Sequence, residues 1–275
     1  MSTTGQLVID SIESSVLGRR RKIRVWLPAG YDANHGGGYP VIYASDAQMK
    51  FTERDPELPY GSWGLDEWIT RLGVPVVVVA IDNSPQRVKE YFPLTEEFAR
   101  YQQFLVTEVI PFARDKYGVS TQPNRVAHLG SSMGGILGCA LAVNNPDAIG
   151  NALCLSPWFE VERYRYVLEV LKKLEQKPPI RIYMDSGIQD WRMLDDGHRG
   201  TLEARNEFLR LGFLEGHDLD WLRDLYFPRL EDFAGSAVKE DKRFHSMTNQ
   251  HTEFHWRRRL ERPLRFFYRS FTNVI

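Results

Sequence analysis

A serine flanked by glycines lies near the middle of the chain, in the run Gly130-Ser131-Ser132-Met133-Gly134. This run fits the pattern G-x-S-x-G, in which the central serine is a nucleophile. An apolar segment precedes it, and a helix-compatible segment follows at residues 136–143. A strand, a sharp turn and a helix in this order lift a serine hydroxyl above the end of a sheet, and the glycines leave room for both elements to pack. Centred on Ser131, the pattern would have a leucine and a methionine as flanking residues, so the spacing selects Ser132.

A serine nucleophile needs a base and an acid, which follow such a turn in the order Ser, Asp or Glu, His. The chain has seven histidines. Four of them come too early in the chain to be the base: His35, His128, His198 and His217. Of the remaining three, His251 lies in a loop immediately before the final predicted helix, whereas His255 lies one turn inside it. We therefore expect His251 to be the base; the alternative is a solvated histidine at a helix start.

The acid should follow the strand predicted at residues 180–184. Asp185 stands at the tip of this strand, and Asp190 stands in the loop beyond a glycine. Asp195 and Asp196 are less favoured candidates further along. Position alone does not decide between Asp185 and Asp190.

His251 and His255 are four residues apart, so on a helix both could bind one metal ion. The zinc signature H-E-x-x-H places its glutamate directly after the first histidine, whereas here Glu253 comes second after it. No cysteine cluster adds further ligands. We predict no metal and no cofactor.

Composition excludes several classes of protein. The chain has 275 residues, a formal net charge of −1 and interspersed charges, so nothing indicates a nucleic acid or an anionic membrane surface as a partner. The two cysteines, Cys139 and Cys154, lie in apolar runs and are expected to be reduced core residues. The start of the chain lacks a basic and apolar leader, and no apolar run approaches the roughly 20 residues of a membrane span. We expect a cytoplasmic protein.

Strands and helices alternate along most of the chain. Strands are predicted at 7–14, 22–27, 39–44, 74–81, 125–129, 151–155, 180–184 and 218–222. Helices are predicted at 65–72, 95–117, 134–144, 161–173, 201–211 and 253–271, and 82–93 reads as a polar loop. The pattern predicts an α/β fold with a mostly parallel central sheet, antiparallel N-terminal strands within residues 1–38, and helices on both faces. We expect a single domain over residues 1–275, with a long irregular loop at 223–250 before His251. Ligand sites in such sheets lie beyond the carboxyl ends of the strands.

Five segments, in chain order, resemble the putative-esterase family of α/β-hydrolases. They are residues 39–48, with Tyr39-Pro40-Val41-Ile42-Tyr43-Ala44-Ser45-Asp46-Ala47-Gln48; residues 82–93, with Arg87, Glu90, Tyr91 and Pro93; residues 110–135; residues 186–190, with Ser186-Gly187-Ile188-Gln189-Asp190; and residues 251–267. That family includes siderophore (enterobactin-type) esterases, feruloyl and acetylxylan esterases, S-formylglutathione hydrolases and mycolyltransferases. The resemblance implies an α/β-hydrolase fold and a serine esterase that acts on a small-molecule ester.

The resemblance also implies roles for individual residues. Ser132 would be the nucleophile, His251 the base and Asp190 the acid, since the family's acid follows the glycine by three. The oxyanion hole would use the backbone N–H groups of Met133 and Gln48. The family usually has Asp-Gly-Gln where this chain has Asp46-Ala47-Gln48, so a positive φ at Ala47 would strain the loop.

Loops around the predicted site carry aromatic residues and arginines. The residues expected to contact substrate are Asp46, Arg87, Tyr91, Trp158 and Trp191; further aromatic and basic residues of these loops are Tyr60, Trp63, Phe159, Arg192 and Arg199. This set suits a simple ester and also an aromatic or anionic acyl group, such as a siderophore lactone. Two alternatives are acyl transfer by the same triad and a non-catalytic binding protein of this fold.

Overall fold

The computed structural model describes residues 4–52, 61–159, 165–190, 192, 194–226 and 250–272. Eight strands form one sheet: β1 (Gln6–Ser14), β2 (Arg19–Leu27), β3 (Val41–Ser45), β4 (Val77–Ile81), β5 (Val126–Ser131), β6 (Asn151–Leu155), β7 (Arg181–Ser186) and β8 (Leu219–Arg223). Their order is β1-β2-β4-β3-β5-β6-β7-β8. β2 pairs antiparallel with β1 and β4, and all the other pairs are parallel. The sequence prediction of a mostly parallel sheet with antiparallel N-terminal strands is confirmed.

Helices cover both faces of the sheet. They are α1 (Leu65–Leu72), α2 (Arg87–Tyr91), α3 (Glu96–Phe104), α4 (Ile110–Tyr117), α5 (Met133–Asn144), α6 (Tyr166–Lys173), α7 (His198–Arg210), α8 (Glu253–Arg259) and α9 (Glu261–Tyr268). Two short 3₁₀ turns lie at Ala47–Met49 and Pro123–Arg125. Of the helices described, none is long and apolar enough to cross a membrane.

The buried central strands supply two separate cores. Val41, Tyr43 and Val79 point to the face covered by α3 to α7, whereas Ile42 and Val78 point to the face covered by α1, α8 and α9. Side chains alternate between the faces of a strand, so a continuous apolar run such as Val77–Ile81 is buried on both sides. The run of apolar residues therefore gives a central strand.

Two predicted elements differ from the structure. The helix expected over 95–117 is three pieces, because a π-helical turn at Leu105–Val109 separates α3 from α4 and a proline stands in the first turn of α4. The polar loop expected at 82–93 contains α2. Part of the helix expected at 161–173, and residues 227–249 of the loop expected at 223–250, lie outside the described residues.

Candidate active site

Ser132 stands on a strained turn between β5 and α5. Its φ of 55° and ψ of −125° are rare for a residue with a side chain. Its N–H donates to the carbonyl of Leu155 at the end of β6, at 2.9 Å. The side chain is half-buried, whereas Ser131 before it is buried in the strand. The turn thus has the geometry of a nucleophile elbow, with Ser132 at its tip.

The glycines on either side of the elbow are required by close packing. A Cβ on Gly130 would lie 2.3 Å from the carbonyl oxygen of Gly134. A Cβ on Gly134 would lie 2.4 Å from Oγ of Ser45 in β3. Neither glycine has a positive φ, so the space between strand and helix is what excludes a side chain.

His251 lies immediately before α8, between two tryptophans. The Trp158 ring stacks on the imidazole with 4.6 Å between centroids, and Trp256 meets it edge-on at 5.0 Å. The preceding residue fixes the backbone here, because Gln250 N–H donates to the Gln189 carbonyl at 2.8 Å. Trp158 lies in the loop after β6, and Ser132 is hydrogen-bonded to Leu155 at the end of that strand. This loop therefore brings the imidazole and Ser132 to the same edge of the sheet.

Asp196 is the carboxylate that contacts His251. Its Oδ1 lies 2.6 Å from Nδ1 of the imidazole. Its Oδ2 accepts hydrogen bonds from Oγ of Ser156 at 2.7 Å and from the N–H of Gly187 at 2.6 Å. Burial raises the pKa of Asp196, but the charge and hydrogen bond of His251, with Arg259 and Ser156, hold the net pKa below its usual value. The carboxylate is therefore ionised where it meets the ring.

Asp190, the acid implied by the family resemblance, does not contact His251. Its carboxylate accepts hydrogen bonds from the N–H groups of Arg192 and Leu194 at 2.7 and 3.1 Å, and it pairs with the Arg192 guanidinium at 2.7 Å. These bonds close the turn that follows Gly187 and use the oxygens that the imidazole would need. Asp190 is thus paired with Arg192 and not with His251, and the loop carries the chain six residues past Asp190 before a carboxylate reaches the histidine.

Asp185, the other sequence candidate, lies beneath the site. It accepts the N–H of Ser156 at 3.0 Å and the Tyr183 hydroxyl at 2.9 Å, and it pairs with the buried Arg259 at 3.0 Å. Burial raises the pKa of Asp185 to about 6, in spite of the Arg259 charge. Asp195 has a different task, since it accepts the first N–H groups of α7, those of His198 and Arg199.

Ser156 joins these groups and was missed from the sequence. Its Oγ donates to Asp196 and accepts from Trp256 Nε1 at 3.2 Å and Arg259 Nη2 at 2.8 Å. Its φ of 43° is positive, as is that of Ser132. A position directly after a buried parallel strand was the only signal in the sequence, and it did not distinguish Ser156 from its neighbours.

The loop after β3 is held by side chains from the loop after β4. Asp46 accepts from the Arg87 guanidinium at 2.6 and 2.9 Å and from the Asn83 amide at 2.8 Å. Burial raises the pKa of Asp46, but the charge and hydrogen bonds of Arg87 counteract this and hold the net pKa below its usual value. The Gln48 side chain exchanges hydrogen bonds with Asn83 at 2.9 and 3.1 Å. Asn83 was not singled out from the sequence.

Alanine at position 47, where the family usually has glycine, causes no strain in this loop. The positive φ, 57°, falls on Asp46, and Ala47 begins the 3₁₀ turn. Aspartate tolerates this conformation better than most residues. Gln48 and Met133 both lie in the first turn of a helix, where main-chain N–H groups point out of the helix end. The strain foreseen for Ala47 is therefore absent.

The remaining residues that the sequence predicted around the site differ in how deeply they are buried. Tyr91 is fully buried and lies under Arg87, 5.0 Å from the guanidinium carbon to the ring centroid, so it supports that residue from the core. Trp63 and Phe159 are also core residues, while Arg192 and Arg199 are exposed. Trp191 and Tyr60 lie outside the described residues. Within the described part of the chain, no group of three or more His, Cys, Asp or Glu side chains could hold a metal ion.

The sequence model of the family described as "Putative esterase" matches residues 14–207. The chain belongs to the putative esterase family. The protein is a carboxylic ester hydrolase with the α/β-hydrolase fold.

Individual relatives are distant. The protein YjcH of Bacillus subtilis strain 168, which is named as uncharacterized, is 26% identical over 181 residues, covering 64% of this chain and 70% of that protein. A ferulic acid esterase superposes with a TM-score of 0.70 and 17% identity, covering 98% of this chain and all of the other. The enterobactin esterase FES from Shigella flexneri has a TM-score of 0.70 and 18% identity, and the match covers 97% of this chain but 60% of that one. At these identities the two superpositions establish the shared fold alone.

Proposed function

We propose that this esterase works through an acyl-enzyme formed on Ser132, with His251 as the base and Asp196 as the acid. The observation that carries the proposal is the 2.6 Å contact between His251 Nδ1 and Asp196 Oδ1, at the same sheet edge as the elbow. A serine at a nucleophile elbow, a histidine and a buried ionised carboxylate, in this chain order, are the parts that acyl transfer requires.

The contact with Asp196 sets the direction of proton transfer. The carboxylate accepts a hydrogen bond from the N–H at Nδ1, which leaves Nε2 as the basic nitrogen that takes the Ser132 proton. Oγ of Ser132 attacks the ester carbonyl, and the imidazolium then protonates the leaving alcohol. Water, activated by the same imidazole, attacks the acyl-enzyme and releases the acid and the free serine. Asp196 keeps its charge throughout and stabilises the imidazolium.

Two backbone N–H groups, those of Met133 and Gln48, would stabilise the oxyanion. Met133 opens α5 and Gln48 lies in the 3₁₀ turn after β3, a strand adjacent to β5 in the sheet. Each such donor contributes roughly 3 kcal/mol in comparable sites. The Gln48 side chain is bonded to Asn83 and the Asp46 carboxylate to Arg87, so the turn is fixed before substrate arrives.

The charges around the site favour an uncharged ester. Arg87 and Arg192 are each paired with a buried carboxylate, Asp46 and Asp190, so neither pair adds a net positive charge. Val88 in α2 and Leu194 in the loop between β7 and α7 are each 55% exposed. They place apolar surface in the two segments that follow the ends of β4 and β7. We propose a small, neutral carboxylic ester as substrate. A siderophore lactone, as suggested by the enterobactin esterase fold, is the alternative and would need an anion-binding surface.

The proposed nucleophile is tested with two neighbouring serines. Ser132→Ala should lower the hydrolysis of p-nitrophenyl acetate by on the order of 10⁴-fold or more and abolish fluorophosphonate labelling. Ser131→Ala, a matched change one residue earlier in a buried strand, should keep both. Labelling that survives in Ser132→Ala would contradict the assignment.

The same assay separates the other readings. A panel of p-nitrophenyl, feruloyl, thioester and siderophore-lactone substrates ranks the acyl groups. Product analysis with an added alcohol detects acyl transfer, because the ester of that alcohol would then accumulate in place of the free acid. A wild-type protein that neither turns over any of these substrates nor labels would be a binding protein of this fold.

A further inference from the structure

Lys50 is a fully buried lysine next to the 3₁₀ turn Ala47–Met49, which carries Gln48 and is called the oxyanion turn below. It follows Met49 directly, and its N–H donates to the carbonyl of Ala47, closing the 3₁₀ turn. Its side chain is 0% exposed, and its Nζ has no hydrogen-bond partner within the described part of the chain. Buried ammonium groups are costly, and nearly all of them are paired or hydrogen-bonded. A lysine in this position therefore requires an explanation.

The ammonium group contacts an aromatic ring, and a second ring packs between that one and His251. Nζ is 3.5 Å from the centroid of Trp63, a cation–π contact. Trp63 packs against Trp256 with 5.6 Å between centroids, and Trp256 meets the His251 ring at 5.0 Å. The backbone repeats this link, since Trp63 N–H donates to the carbonyl of Met49 at 2.8 Å. Lys50 is thus packed between the oxyanion turn and the histidine.

Among the residues that the structure describes, four charged or titratable groups act on Lys50 from the elements around it. Asp46 precedes the oxyanion turn, Glu253 opens α8, Arg87 lies in α2 and His128 lies in β5. Among the described residues neither carboxylate lies within 4.0 Å of Nζ, so Asp46 and Glu253 attract the ammonium group without forming an ion pair with it. Glu253 is two residues after His251 and is 6% exposed.

Burial dominates the titration of this group. It lowers the pKa of Lys50 to about 8, while Asp46 and Glu253 act to raise it and Arg87 to lower it. Burial also raises the pKa of Glu253 to about 7, against the attraction of Lys50. Burial and then the Lys50 charge lower the pKa of His128 to about 3, so His128 stays neutral.

We propose that Lys50 is a positioning residue of the active site. Its ammonium group attracts Glu253 at the start of α8 and the Trp63 ring, and so holds the turn that carries Gln48 against the segment that carries His251. This inference rests on the proposed serine-esterase function. It adds a charge on which the positions of both Gln48 and His251 depend. When the ammonium loses its proton, both attractions are lost and the two segments are held by apolar packing alone.

Activity and stability should then respond to alkaline pH in opposite directions. The pKa of Lys50 is depressed from its ordinary 10.5, so above about pH 8 the folded chain holds fewer protons here than the unfolded chain. The contribution of Lys50 to the free energy of unfolding therefore rises between about pH 8 and 10.5. Turnover should fall over the same range as the ammonium disappears. Simple alkaline unfolding would lower both together.

The test compares pH profiles of kcat for wild type and Lys50→Met. We expect the wild type to lose activity with an apparent pKa of about 8. Lys50→Met should lower kcat at pH 7 by between about 10- and 100-fold, with little change in KM, and should lack this alkaline limb. Lys173→Met, which removes an exposed lysine in α6, should reproduce the wild-type profile.

Glu253→Gln provides a second variant that keeps the lysine. Without the carboxylate the Lys50 pKa should fall further, so the alkaline limb should move to lower pH. A Lys50→Met enzyme with wild-type kcat and an unchanged alkaline limb would overturn the proposal, as would an unmoved limb in Glu253→Gln. These outcomes differ from failure of the proposed function, in which wild type and Ser132→Ala would hydrolyse esters equally or not at all.

Discussion

The proposed nucleophile half of the site, residues 130–134, is held by main-chain packing, whereas the proposed acid–base half, residues 187–197 and 250–253, is held by side chains. In the first half the carbonyl of Gly134 leaves no space for a Cβ on Gly130. In the second half, Gln250 and Asp196 bond to the N–H groups of the loop after β7. Main-chain packing permits only one local sequence pattern, whereas side-chain contacts can be made from loops of different length.

This difference explains which residues a sequence reveals. Main-chain packing forces glycine at fixed spacing, so G-x-S-x-G identifies Ser132 from the sequence. A carboxylate can reach an imidazole from many loop shapes, so a spacing taken from relatives does not transfer safely. Here the turn closed by Asp190 lengthens the path, and Asp196 reaches His251 in its place.

Gly130→Ala tests the main-chain half and should have the larger effect on stability. The added Cβ would meet the Gly134 carbonyl at 2.3 Å, and neither β5 nor α5 can move away without breaking the sheet or the helix. We expect a loss of at least about 3 kcal/mol in the free energy of unfolding, measured by urea denaturation. Gly36→Ala, where a Cβ meets nothing within 4 Å, is the matched control and should stay within about 0.5 kcal/mol of wild type. Equal stability of the two variants would refute the packing account of the elbow.

Gly187→Ala tests the side-chain half and should have a smaller effect on stability but a visible one on turnover. The added Cβ would meet Gln250 at 2.7 Å and Asp196 Oδ2 at 2.8 Å, and both are side chains that can shift. We expect a loss of about 1 to 2 kcal/mol in the free energy of unfolding. Because Asp196 must move, kcat should fall by between about 10- and 100-fold. A folded variant with full kcat would show that Asp196 does not orient the base.

Most of the fold could be predicted from local patterns. Continuous apolar runs such as Val77–Ile81 mark the central strands, and the alternation at residues 22–27 marks an antiparallel strand, β2, which lies between β1 and β4. The π-helical turn at Leu105–Val109 was not predictable, since the helical spacing of apolar residues continues through it. The five-residue helix α2 was also missed, because its polar residues resemble a loop.

The contacts that cross the molecule were beyond the sequence. Ser156 meets Arg259 from a position 103 residues away. Lys50 is a charged residue whose neighbours on each side, Met49 and Phe51, are apolar, and the sequence gives no sign that the Trp63 ring would cover it. Likewise, the aspartates at 185, 190, 195 and 196 are alike as sequence. Only their partners separate the proposed triad acid from a turn closure, a helix cap and a buried ion pair.

The most direct test of the proposed triad compares kcat for Asp196→Asn and Asp190→Asn on one p-nitrophenyl ester. Both changes keep the size of the side chain and remove one charge. Asp196→Asn should lower kcat by on the order of 10⁴-fold, because an amide favours the wrong tautomer of His251. Asp190→Asn should lower the free energy of unfolding by about 1 to 3 kcal/mol and change kcat by less than about tenfold, because it loosens only the turn. An Asp190→Asn enzyme that is crippled while Asp196→Asn turns over normally would contradict the triad of Ser132, His251 and Asp196.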